Sequence, residues 1–133
     1  MTAEIHYEGN LRTRCTHIQS ASSLLTDAPT DNFGRGEAFS PTDLLATSLA
    51  SCALTTMAIL GKHHELVIDG ARATVNKIMA SAPRRVARLE VVIYMPANNY
   101  TDKEKKLLES YAHSCPVAKS LHPDLEQHIQ IIW

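Results

Sequence analysis

Between Pro41 and Leu60 the chain carries one charged residue, Asp43, and the remainder, "PTDLLATSLASCALTTMAIL", is apolar or small on every face. Ser40 is placed to cap a helix, Pro41 suits its first position, Asp43 completes a variant of the capping box, and Gly61 reads as the stop. A long helix with no wet face is buried all round. A chain of 133 residues makes one compact domain, too small to enclose such a helix alone. The reading is therefore a single domain over 1–133 in which a partner subunit covers part of the helix.

The rest of the sequence supplies what packs against it. "EIHYE", "LRTRCTHIQ" and "SSLLTD" read as three strands ending in the turn-rich "DAPTDNFGRGE". After the helix, "LVIDG" is a short leading β-rich run, and "ARATVNKIMA" and "VARLEVVIYMP" form a hairpin across "SAPRR". "TDKE" from Thr101 is a capping box that opens a second helix. Its apolar positions Leu107, Leu108, Tyr111, Ala112 and Cys115 recur at helical spacing, so Cys115 falls on the buried side. Pro116 stops or kinks that helix near Cys115, and "HIQIIW" is a last strand. The order β-β-β-α-β-β-α-β is an α+β domain with helices on one side of mainly antiparallel strands.

Thirteen basic and fourteen acidic side chains leave a formal charge of -1, which gives no field to draw the chain onto nucleic acid or anionic lipid. The start "MTAEIHYEGN" lacks the basic and apolar regions of a signal peptide, and no apolar stretch approaches the roughly 20 residues that span a bilayer. A soluble cytoplasmic protein without nucleic-acid or membrane partners is expected. Seven histidines, with "KHHE" and "HSC" among their contexts, match no closed zinc spacing. His63 and His64 are better placed as company for a helix C-terminus, and neither a metal nor a cofactor is expected.

The chemistry rests on cysteine. In a cytosolic chain three cysteines do not make a disulfide scaffold, and a reacting pair is redox-active or metal-binding. Cys52 and Cys115 each lie on the apolar face of a separate helix, and such faces pack together in a small domain. Cys15, in an early strand, reads as a core or edge residue. Thiolate is the nucleophile, and Cys52, about three turns into its helix, is too deep for the helix dipole to serve it. An arginine must reach it. Arg12, Arg14 and Arg35 are the candidates by position, and spacing does not choose among them.

"FSPTDLLATSLASCALTTM", followed by "YAHSCPVAKSL", resembles the OsmC/Ohr family of thiol-dependent peroxidases, and the order of strands and helices extends the resemblance nearly end to end. "GNLR" resembles the family segment that carries an essential arginine, which selects Arg12. The resemblance implies an interwoven homodimer with two long central helices wrapped by sheets. Cys52 would attack the peroxide O–O bond, and Cys115 would resolve the sulfenic acid as a disulfide for a small or protein-bound dithiol to reduce. It implies no cofactor. The sequence departs from the pattern at Thr42, where the best-studied members carry a glutamate that steers the arginine. Asp43 or Glu37 is then the candidate carboxylate, although a one-residue offset on a helix turns a side chain by about 100°. The alternative is a non-catalytic protein of the same fold, holding a lipid-like or small-molecule ligand or sensing redox state through its thiols.

Overall fold

A computed structural model describes residues 1–133, which form two compact units, Met1–Leu45 and Ala46–Trp133. The first contains β1 (Ala3–Gly9), β2 (Arg12–His17) and β3 (Ser23–Asp27), an antiparallel sheet in that order. The tight β1–β2 turn runs through Gly9, Asn10 and Leu11, all at positive φ, the twist that two-residue hairpins favour. This sheet hides little of its apolar surface: Ile5 is 58% and Leu24 42% exposed, and burial is confined to Thr26 and Asp27 at the end of β3. Residues 28–40 then form a loop containing a single 3₁₀ turn, Thr30–Asn32. Gly34 passes so close to the Ala28 backbone that an added Cβ would lie 1.6 Å from its carbonyl oxygen, which admits only glycine.

Helix α1 spans Pro41–Gly61. Its capping box is present as expected: the Asp43 amide donates to Ser40 Oγ at 3.1 Å, and the Ser40 amide donates to Asp43 Oδ2 at 2.8 Å. Within one chain the helix buries a stripe, Ala46, Leu49, Ala50, Ala53, Met57 and Gly61, and leaves Ile59 56% exposed, so it is not buried all round. Gly61 ends it for a reason other than left-handed geometry. Its backbone is right-handed, the chain continues into a 3₁₀ turn over Lys62–His64, and the left-handed residue is Glu65. A Cβ on Gly61 would meet the Leu66 carbonyl oxygen at 3.1 Å, so the glycine serves close packing. Pro41–His64, 24 residues containing an 18-residue window of mean hydropathy 1.7, is by length and composition enough to cross a membrane. That corrects the expectation that no such stretch exists; the core helix of a soluble protein passes the same test, and this one contributes its stripe to the core.

The second unit adds β4 (Arg72–Ser81), β5 (Arg84–Tyr94), α2 (Asp102–His113), α3 (Pro116–Ser120) and β6 (Glu126–Ile132). β4 and β5 are the expected hairpin, whereas β6 pairs with β5 in parallel, so this sheet is mixed. The cause is the connection: two helices lie between β5 and β6, a crossover that returns the chain in the same direction. "LVIDG" is not a strand; it is irregular chain that sends Leu66 and Ile68 into the core. Tyr100 Oη and Asn98 Nδ2 fix it by donating to the Val67 carbonyl at 2.6 and 3.0 Å. The core of this unit joins Leu49, Ala53 and Met57 of α1 to Leu89, Val91 and Ile93 of β5 and Leu108 and Ala112 of α2.

Candidate functional site

Cys52 projects from α1 and packs, half-buried, against the core of the second unit. Cys115 is fully buried. Thr101 and Glu104 start α2 with the reciprocal bonds of a capping box, 2.7 and 3.3 Å, and the helix stops at His113 because Pro116 opens a new one. Cys115 thus lies outside α2, as the cap of α3, where its sulfur accepts the Ala118 amide at 3.3 Å. Burial pushes the Cys115 thiol above the usual cysteine range, the Ala118 and Val117 amides pull the other way, and the neighbouring Cys52 thiol raises it further. The two helices therefore bring the two predicted thiols together in apolar surroundings, and all three cysteines are unbonded.

The first unit holds a different cluster. Arg12, at the start of β2, donates through Nε to Asp27 Oδ1 at 2.7 Å and through Nη2 to Asp27 Oδ2 at 2.9 Å. Nη2 also donates to Glu37 Oε2 at 2.8 Å. The Glu37 backbone amide returns to Asp27 Oδ2 at 3.0 Å. Hydrogen bonds from Arg12 hold the Asp27 carboxyl below its ordinary range against the opposing effect of burial, and the Arg35 charge adds to the lowering. The carboxylates in turn raise Arg12.

Of the two carboxylates considered for the arginine, Glu37 is on it, while Asp43 is occupied by the α1 cap. Thr42 shares a hydroxyl contact with Ser40 at 3.1 Å. Arg14 pairs instead with Glu8. Cys15 lies on β2 with Thr13 Oγ1 at 3.9 Å. Sequence reasoning missed Asp27. The signal was available in the hairpin register, because Arg12 and Asp27 are cross-strand partners at the open end of β2 and β3, and opposite charges there attract.

Fold and side chains together define a class: a small α+β protein with two neighbouring free thiols in a helix-lined core and an arginine clamped by carboxylates on its N-terminal sheet. The OsmC-like protein family model matches residues 34–128, and the chain belongs to that family. It is similar over 99% of its length, at 48% identity and a TM-score of 0.94, to a crystal structure from Psychrobacter arcticus 273-4, of which 96% is covered; that protein is provisionally named an osmotic stress induced and detoxification response protein. The organic hydroperoxide resistance protein OsmC of Legionella pneumophila shares the fold at 17% identity and a TM-score of 0.75, with 98% of this chain and 95% of that one covered. So does the organic hydroperoxide resistance protein OhrB of Bacillus subtilis, at 15% identity, a TM-score of 0.69 and coverage of 99% and 98%. The comparison with curated proteins returned no match. OsmC-like proteins are small and soluble, in keeping with α1 as a core helix.

Proposed function

We propose that the protein is a thiol-dependent peroxidase that reduces organic hydroperoxides in the cytoplasm as part of oxidative-stress defence. The observation that carries the reading is the neighbouring, unbonded pair Cys52 and Cys115 in an apolar core. Membership of the OsmC-like family supports it, as do the hydroperoxide-resistance names of two proteins that share the fold.

The Cys52 thiolate attacks one oxygen of the O–O bond; the other oxygen leaves with the organic group and takes up a proton as an alcohol, and Cys52 becomes a sulfenic acid. Cys115 then attacks the Cys52 sulfur, expelling water and closing a disulfide. A small or protein-bound dithiol reduces that bond through a mixed disulfide, so the balance is one hydroperoxide and two thiols to one alcohol, one water and one disulfide. Apolar surroundings favour an organic peroxide over hydrogen peroxide, because the former gains from leaving water. Arg12 is assigned the cation that holds the Cys52 thiolate. A homodimer completes the assembly: a three-stranded sheet with Ile5 and Leu24 this exposed needs cover to be stable.

The test is anaerobic addition of one equivalent of cumene hydroperoxide to reduced protein, followed by mass and free-thiol analysis beside Cys52→Ser. Loss of two thiols with a Cys52–Cys115 bond, absent from the control, is the expected result. Unchanged thiols after minutes would remove the enzyme reading and leave the ligand-binding or redox-sensing one.

A further inference from the structure

A guanidinium has five N–H donors in a planar fork. Arg12 commits three of them, Nε and one Nη2 hydrogen to Asp27 and the other Nη2 hydrogen to Glu37. The two on Nη1 have no protein partner. The two carboxylates are unequal. Asp27 is 2% exposed, grips the fork with both oxygens, and stands opposite Arg12 in the strand register. Glu37 sits on the 28–40 loop with a side chain 60% exposed and makes one bond to the arginine. The loop is hooked to Asp27 by the Glu37 backbone amide, so the Glu37 side chain can swing away while the loop stays attached.

Charge makes this asymmetry matter. With the Arg35 charge that also reaches Asp27, Arg12 and both carboxylates make a group of about zero net charge, whereas without Glu37 the group is a net cation that presents N–H donors to a thiolate. We propose that Asp27 is the positioning residue that fixes Arg12 for the thiolate chemistry, and that Glu37 is a displaceable ligand whose departure frees the cation. The proposal rests on the assignment of Arg12 to Cys52 made above. It gives the loop carboxylate the opposite role from a steering residue: the buried aspartate steers, and the exposed glutamate competes.

Iodoacetamide alkylation of Cys52 in the reduced full-length protein at about pH 7, followed by peptide mass analysis, tests this without needing peroxidase turnover, because the rate follows the thiolate. Asp27→Asn and Glu37→Gln each remove one negative charge, and a field effect alone would speed alkylation in both. The proposal requires opposite signs: Glu37→Gln raises the rate about threefold, and Asp27→Asn lowers it about tenfold. A rise in both variants would overturn the inference and leave the role of Arg12 standing. An Arg12→Ala variant that alkylates as the wild type does would overturn that role, and the inference with it. If circular dichroism shows Asp27→Asn unfolded, the Arg12 Nε–H proton resonance decides in Glu37→Gln. Exchange protection equal to wild type supports Asp27 as the anchor, and its loss would show that Glu37 holds the arginine and overturn the proposal.

Discussion

The two units of this chain solve opposite problems. The first spends its polar groups on one dense cluster, Arg12, Asp27 and Glu37, and leaves Ile5, Tyr7 and Leu24 exposed. The second is built around a dry core of Leu49, Met57, Leu89, Ile93 and Leu108, into which it sets two thiols. Thiolate chemistry needs a nucleophile that substrate can reach and a cation that stabilises its charge. The second unit holds the two thiols, and the first holds an arginine clamped by carboxylates.

The largest effect should expose this contrast in stability. Leu49→Ala removes a side chain with no exposure and should cost about 3 kcal/mol in urea unfolding, independent of protein concentration. Leu24→Ala acts on a residue already 42% exposed and should cost below about 1 kcal/mol in a monomer. In the proposed dimer its effect should be a concentration-dependent midpoint, since its cover comes from the second copy. A Leu24→Ala cost that matches Leu49→Ala at every concentration would break the comparison, because it would mean that the first sheet owns a core.

The units should also fail at opposite ends of the pH scale. The Asp27 carboxyl is lowered by its bonds from Arg12. Its contribution is therefore complete above the unfolded carboxylate value, about 4, and lost as pH falls through the lower folded value. Urea midpoints measured from about pH 7 down to pH 2 should show an acid decline that Asp27→Asn flattens. The Cys115 thiol is raised, first by burial. Its contribution is complete below the unfolded thiol value, about 8.5, and lost as pH rises through the folded value, so Cys115→Ala should flatten the alkaline decline. Interchanged effects, with Asp27→Asn acting in alkali or Cys115→Ala in acid, would contradict these environments.

Legibility in the sequence followed the same division. Elements governed by local chemistry were readable: both capping boxes, the β4–β5 hairpin, the stop before Pro116 and the burial of Cys115 all depend on neighbours within a few residues. The misses depend on the chain returning from a distance. Nothing in "HIQIIW" states that it will run parallel to β5, because the direction is set by the length of the α2–α3 connection. "LVIDG" has strand composition, yet Leu66 and Ile68 are needed in the core and Val67 is held by Asn98 and Tyr100. Thr42 drew attention to the helix as the place where an arginine partner was lost. Of the actual partners, Glu37 of the loop was among the candidate carboxylates, whereas Asp27 at the end of β3 was not, because only strand register brings it beside Arg12.

The smallest expected effect compares the two capping boxes, which share a bonding pattern and differ in burial. Ser40 is 1% exposed and its hydroxyl takes the Asp43 amide at 3.1 Å, whereas the Thr101 box faces solvent with its amide bond at 3.3 Å. Removing Thr101 by substitution with Ala leaves the Glu104 amide free to bond water, so the cost should lie near the low end of cap losses, about 0.5 to 1 kcal/mol. Ser40→Ala strands the Asp43 amide where water reaches poorly, and an unmet buried donor adds its own penalty. The cost there should approach about 2 kcal/mol. Urea unfolding of the two variants side by side measures the difference. Equal losses would show that burial at the start of α1 adds nothing to its cap.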